Sequence, residues 1–341
     1  MIRTLAKFAT ALAIPLATLL PLAPQAQAQQ TPTINLGYAK CAHCTALALT
    51  PEYEKDVKIN ALPFTTANDV LTALLSKSID VAQVTYLHYI TALDRGFEVV
   101  AISGQVNGGS QLVVGNTVAV QPNDWAGLKK LIAQYKADGK PFRVAASRGN
   151  AQDIQMRGDF LVHGIDVNKD VQFINIPNPA DDVAALRRGE VELVSAVEPF
   201  ATQVVQLKAA KFFAYPYDQA AGNLTNLIIT RPDVIKSNPT GVLETVRAIV
   251  ASDNAIAKDK TLFVNTIVKI TGLDKQIAEG AVSNLLPDYK MYQPQTVAIA
   301  KMMHDLHYIN SDVTDKAKAN MDYSFLEKVT GKPKTELGYR Y

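Results

Sequence analysis

Lys169 to Ala201 reads KDVQFINIPNPADDVAALRRGEVELVSAVEPFA, and this stretch holds a strand, a helix and a second strand. Val171 to Ile176 is a short strand-like run. Asn178-Pro179 opens a helix with proline at the first helical position, where its missing N–H costs nothing. Val191 to Val197 closes the unit as a strand. Strand, helix and strand in this order are the building unit of parallel α/β sheets. A second copy lies upstream in Asp69 to Val84, DVLTALLSKSIDVAQV. There Ala73-Leu74 sit late in a helix as Ala185-Leu186 do, and Ile79-Asp80 open a strand as Val191-Glu192 do. Both pairs are 112 positions apart (73 to 185, 79 to 191).

Outward from these units, Thr33 to Tyr38, Val57 to Pro63, Asp80 to Val84 and Val99 to Ile102 read as strands, with helices over Ala42 to Leu49 and Asp69 to Leu75. Thr66 can cap the second helix, and Asp69 completes an approximate capping box. Past Leu112-Val113-Val114, Phe142 to Ala146 is strand-like, and Asn150 to His163 is helical, stopping at Gly164, a good C-cap residue. Asn226 to Thr230 is another strand, broken by Arg231-Pro232. Beyond it the chain is mostly helical, over Val242 to Ala257, Lys260 to Thr271, Lys275 to Leu285 and Gln295 to Leu306. The expected fold class is α/β: two α/β lobes with a ligand cleft between them and a helical C-terminal region. Lobe one is discontinuous, residues 29–113 and 226–341, and lobe two, 114–225, is inserted into it. Segments near Gln111 to Gly115 and Asn226 to Thr230 are the expected crossovers, and two short connections permit closure about a ligand.

Residues 1–28 read as a signal peptide. Arg3 and Lys7 make a positive start, Phe8 to Leu22 is almost wholly apolar, and Ala26-Gln27-Ala28 is a small-x-small cleavage pattern. No cysteine lies near that point to take a lipid, so the mature chain is expected free of a membrane anchor, as in a Gram-negative periplasm. With 34 basic and 32 acidic residues the formal charge is +2, which implies no nucleic-acid partner. After the leader no apolar run is long enough to span a bilayer.

The ordered set of Ile34-Asn35-Leu36-Gly37-Tyr38, Asp69 to Val84, Ser147-Arg148-Gly149-Asn150-Ala151-Gln152-Asp153 and Lys169 to Ala201 resembles the binding proteins of taurine, aliphatic-sulfonate, nitrate and thiamine-precursor ABC importers. The resemblance covers nearly the whole mature chain. It implies a type II periplasmic-binding-protein fold, capture of a small polar or anionic solute (sulfonate-, nitrate- or pyrimidine-like) by lobe closure, delivery to an inner-membrane ABC permease, no cofactor and no catalysis. One relative of this fold makes a thiamine pyrimidine, but with a cysteine-rich run in a part of the chain that has none here.

In open α/β sheets ligands bind beyond the carboxyl ends of strands, where helix N-termini offer free N–H groups. The candidate ligand-binding residues are therefore Tyr38, Cys41, His43, Cys44, Thr66, Thr85, Tyr86 and Asn107 from lobe one, and Ser147, Arg148, Asn150, Asn178 and Glu198 from lobe two. Arg148 is the natural anion partner, since guanidinium makes paired hydrogen bonds to sulfonate or carboxylate; otherwise it is a solvated loop arginine. Glu198 could receive an amine, guard the hinge or form a salt bridge. Tyr86 and Glu198 again differ by 112, which puts both at equivalent strand ends. Cys41 and Cys44 are the only cysteines, and three states are open to them. In an oxidising compartment they can form a local disulfide. At a helix start, with His43 between them, they can instead hold a soft metal or a metal complex, or remain reduced. Thr45, not His, follows Cys44, which speaks against a c-type haem. His304 and His307, three apart on a helix, read as a solvated face.

Overall fold

In the computed structural model, residues 31–339 are described, so the expected leader over residues 1–28 lies outside them. The chain begins with β1 (Thr33–Ala39), β2 (Lys58–Phe64) and β3 (Val81–Thr85), and continues with β4 (Val100–Gly108) and β5 (Ser110–Gly115). Then come β6 (Arg143–Ala146), β7 (Gln172–Asn175), β8 (Leu193–Val197) and β9 (Ala210–Ala214), followed by β10 (Asn226–Thr230) and β11 (Leu285–Asp288). They form two sheets, of order β11-β4-β10-β3-β1-β2 and β7-β6-β8-β5-β9. β2, β1 and β3 run parallel, as do β7, β6 and β8. All five residues of β3, of β8 and of β10 are buried; these largely apolar strands lie inside their sheets and are covered on both faces, as the central strands of an α/β sheet are.

The internal repeat is real in space. β3 and β8 begin at 81 and 193, and the helix Ala67–Leu75 is matched by the turn Pro179–Asp181 running into the helix Asp182–Arg187. The same lock closes both units. The Asp80 carboxylate accepts from Asn35 N–H at 2.8 Å and the Glu192 carboxylate from Arg143 N–H at 2.6 Å. The two acidic residues return the bond through their own N–H groups to the Asn35 and Arg143 carbonyls.

Each sheet also holds one strand that adjoins a passage of the chain between the two sheets. β5 lies between β8 and β9, and β10 lies between β3 and β4, each antiparallel to both neighbours. Ser110 faces Val197 and Asn226 faces Thr85, so the two insertions share one register. The first change of sheet falls at Gly108-Gly109, both left-handed at φ 87° and 86°. A Cβ would lie 2.2 Å from the Asn284 carbonyl at Gly108 and 2.4 Å from His43 Nδ1 at Gly109, so both the turn and the approach need glycine. The second change runs through residues 215–225.

Two elements differ from the sequence reading. The helix expected over Ala42 to Leu49 is a 3-10 helix at Thr45–Tyr53; the Thr45 and Thr50 hydroxyls bond back to the Ala42 and Leu47 carbonyls, and Pro51 removes a donor. The helix expected over Lys275 to Leu285 stops at Val282, and Leu285 starts β11, which covers the edge of β4. β4 itself outruns the expected Val99 to Ile102, because its second half is buried polar residues that carry no apolar signal: Ser103, Gln105 and Asn107. The expected Thr66–Asp69 capping box is present, and Gly164 follows the helix Ala151–Val162 at φ 71°. Helices Pro239–Lys258, Lys260–Thr271, Lys275–Val282 and Gln293–Asp305 pack under the first sheet, with Val246, Ile249, Phe263 and Ile267 in its core.

Candidate ligand-binding recess

Both sheets end on a single recess. Ala39, Thr85 and Val197 are the last residues of β1, β3 and β8, while Thr65 and Ser147 directly follow β2 and β6; all five line it. It encloses about 400 Å³ of empty space, part of it open to solvent. Three helices start there: Ala67–Leu75 behind Thr66, Tyr86–Asp94 behind Thr85, and Ala151–Val162 behind Asn150. The first-turn N–H groups of a helix have no intrahelical acceptor, and the aligned peptide dipoles add partial positive charge at that end. Thr66 and Thr85 each spend a hydroxyl lone pair on a third-position N–H. Asn150 makes no such cap and donates to Ser147 Oγ at 2.7 Å instead. No Lys, Arg, Asp or Glu lines the recess among the described residues. Backbone dipoles are thus the recess's own source of positive charge, offset in part by Asp69 and Asp153 in the first turns of two of these helices.

Cys41 and Cys44 form one wall and are disulfide-bonded, with Cα atoms 5.1 Å apart. His43 between them is buried, its Nε2 3.1 Å from Cys41 Sγ, and its Nδ1 has no hydrogen-bond partner. Burial pushes its pKa down to about 3, so it is neutral at physiological pH. The loop is anchored from behind by buried amides. Asn226 donates to the His43 carbonyl at 3.0 Å and to Gln105 at 3.1 Å, and accepts from Gln83 at 2.7 Å; Gln83 in turn accepts from Ala39 N–H. Across the recess, Ala42 N–H donates to the Glu198 carbonyl at 2.7 Å.

The sequence matches the model of the NMT1-like family over residues 27–270, a span that includes every residue lining the recess. The chain belongs to the NMT1-like family. No curated protein sequence matches it. Among solved structures it is similar to the periplasmic nitrate-binding protein NrtA of Synechocystis PCC 6803, at 16% identity over 90% of this chain and 91% of that one, TM-score 0.75. It is also similar to the zinc-bound ligand-binding component of an ABC-type import system from Staphylococcus aureus, at 14% identity over 88% and 100% of the two chains, TM-score 0.74. A third is the alkanesulfonate-binding protein SsuA of Xanthomonas axonopodis pv. citri bound to MOPS, at 15% identity over 84% and 97%, TM-score 0.68. At these identities the likeness fixes the fold: the type II periplasmic-binding-protein architecture.

Within this NMT1-like chain the recess gathers Cys41, His43, Cys44, Thr66, Thr85, Ser147 and Asn150 from the expected site residues. The other six lie elsewhere. Arg148 is exposed, its guanidinium stacked 4.5 Å over the Phe173 ring, where the ring's quadrupole attracts it. Tyr38 lies in a separate groove with Leu49 and Lys269 on the other side of β1. Tyr86 is wholly buried, its hydroxyl accepting from Tyr292 N–H. Asn107 accepts from Thr225 N–H and so holds the second crossover. Asn178 is spent capping Pro179–Asp181. Glu198 is wholly buried, bonded to the Gln111 amide and to Thr202 N–H, and its own N–H donates to the Gly109 carbonyl. It therefore bonds Gly109 and Gln111, beside the first change of sheet.

His88 was missed by sequence reasoning. Buried on the helix Tyr86–Asp94, it bonds Thr85 Oγ1 at 2.8 Å and Asn68 Oδ1 at 3.0 Å, and Asn68 donates across the recess to the Arg148 carbonyl. Burial pushes its pKa down to about 4, so this chain of bonds carries no net charge at neutral pH. A histidine three residues beyond a capping threonine is the one trace it leaves in the sequence.

Proposed function

We propose that this protein is the solute-capturing component of an ABC importer, exported to the periplasm, where its two lobes close on a small oxyanion and present it to an inner-membrane permease. The lobes are residues 31–108 with 226–339, and 110–225, moving about Gly108-Gly109 and the 215–225 segment. The observation that carries the reading is the convergence of three helix N-termini, drawn from both lobes, on a recess without a carboxylate. Such termini bind anions through oriented N–H groups and dipole charge, and the Thr66, Thr85 and Ser147 hydroxyls add adjustable donors. The structural neighbours named for nitrate and alkanesulfonate binding support this class. Neither a cofactor nor turnover belongs to this role.

Calorimetry with nitrate, ethanesulfonate, taurine and a thiamine pyrimidine tests it. Micromolar binding of an oxyanion that weakens in Asn150→Ala and Thr66→Ala is expected. Binding of the pyrimidine alone would remove the anion assignment, and product formation from it would remove the binding-protein reading as well.

A second reading rests on the Cys41, His43 and Cys44 ligand atoms, which all lie within 4.8 Å of one another. Once a dithiol reductant has opened the disulfide, two thiolates and an imidazole would suit a thiophilic metal or its small complex. Metal titration of the reduced protein beside a Cys41→Ser/Cys44→Ser variant decides it, since equal affinity in both would exclude this site.

A further inference from the structure

A second cluster of metal-ligating side chains lies away from the recess, where the helix Ala151–Val162 meets the segment leading into β10. Asp159 and His163 are one helical turn apart, with His163 N–H bonded to the Asp159 carbonyl, so their side chains share a face. Asp218 comes from the 215–225 crossover. Gly158 lets that crossover approach: a Cβ there would sit 2.9 Å from Gln219 Cβ. One ligand atom from each of Asp159, His163 and Asp218 lies within 4.8 Å of the others.

The groups are unevenly satisfied. His163 Nε2 is 3.0 Å from Asp218 Oδ2. The wholly buried Asp159 accepts Asp218 N–H on Oδ1, and its Oδ2, also buried, has no donor. A buried carboxylate oxygen without a partner beside a second carboxylate is costly. One doubly charged cation would answer both charges and replace the His163–Asp218 hydrogen bond with coordination. Zinc ligands at about 2.0–2.2 Å in tetrahedral array stand roughly 3.3–3.6 Å from one another. The 60% exposed side chain of Asp218 is free to make that small adjustment.

We propose that Asp159, His163 and Asp218 form a binding site for one divalent transition-metal ion, completed by water at its open side. Imidazole with two carboxylates is a borderline-hard donor set that suits zinc or cobalt and contains no thiolate. The site is separate from the Cys41–Cys44 wall and needs no reduction. It would pin the second crossover to the helix Ala151–Val162, next to Tyr217, whose hydroxyl bonds both the N–H and the carbonyl of Ser110, the first residue of β5.

The sole tryptophan, Trp125, reports on it: its ring stacks on His163 at 3.9 Å and 6°. Untagged, oxidised full-length protein is titrated with zinc by calorimetry and with cobalt by visible absorption and Trp125 fluorescence. Expected are one equivalent bound, quenching of Trp125 by cobalt, and no sulfur-to-cobalt charge-transfer band. Removing a ligand should cost at least what removing an outer-shell partner does, about 10–100-fold in affinity, in His163→Ala and equally in Asp218→Asn. The second variant keeps the imidazole stack intact. His304→Ala should bind as the parent does. No binding at micromolar metal, or affinity unchanged in His163→Ala and Asp218→Asn, would overturn the site.

Discussion

Replacing Glu198 by Gln should flatten part of the pH dependence of folding. Burial pushes the Glu198 carboxyl up from 4.5 to about 7, against the pull of Thr202 and the Gln111 amide, which favour the charged form. In the unfolded chain it ionises at its ordinary value. Below about pH 4.5 it is protonated in both states and exacts no penalty. As pH rises, the unfolded chain ionises while the folded one holds its proton, so stability falls until the folded carboxyl ionises near pH 7. An interval of about two and a half pH units at 1.36 kcal/mol each gives about 3 kcal/mol. A glutamine keeps the shape. It can accept from Thr202 N–H and, once the Gln111 amide turns, donate to its oxygen, and it has no charge to bury. Urea unfolding followed by circular dichroism at about pH 4.5, 6 and 8 gives the two profiles. The variant should gain about 3 kcal/mol on the parent across that range. Asp182 and Asp253, also held well above the ordinary carboxylate range by burial, add the same slope to both proteins and cancel in the difference. Parallel profiles would mean that Glu198 is already ionised when folded, and the argument from burial would be wrong.

Gly109→Ala places a Cβ against His43 in a left-handed backbone and should cost at least about 1–2 kcal/mol, read as a lower urea midpoint; an unchanged midpoint would show that the crossover tolerates a side chain. Thr66→Ala removes a capping box and should cost about 1 kcal/mol, with weaker anion binding beyond it; loss of stability with binding intact would take Thr66 out of the site. Asp80→Ala and Glu192→Ala should each cost about 1–3 kcal/mol, since each leaves a strand N–H without its acceptor. Glu192→Ala should cost the more of the two, because it also removes the partner of the Arg143 guanidinium; equal thermal midpoints would show that this ion pair adds nothing.

The architecture was legible because apolar runs and capping residues are local signals. Val81–Thr85 and Leu193–Val197 are mainly apolar strands, and Thr66, Gly164 and Asn178-Pro179 mark helix ends by mechanisms that need no tertiary partner. Half of the site was legible for the same reason: strand ends and helix starts are readable, and Thr85, Ser147 and Asn150 stand there. What failed was direction. Tyr38 and Tyr86 occupy the right segments, but alternation along β1 and the pull of the core turn them inward. Arg148 sits in the right loop, yet Phe173, brought alongside by β6–β7 pairing, offers its guanidinium a closer partner than the recess. Gln83, Gln105 and Asn226 hold the disulfide loop from buried strand positions, where one polar residue in an apolar run gives no hint of the amide it will meet. The disulfide itself was one of three open states, since spacing alone does not decide oxidation.

The exchanged strands also dictate an order of assembly. β5 to β9 all lie within residues 110–214, so the second sheet can complete as soon as that stretch is available. The first sheet cannot, because β10 must slot between β3 and β4, pairing Asn226 with Thr85 over a long loop of chain. Closing such a loop is slow. The half of the molecule that begins the chain would thus be the last to set, its β3 and β4 left with bare edges until β10 arrives. Exposed edges of that kind invite association with other chains, and a chaperone would find its target in the first hundred residues.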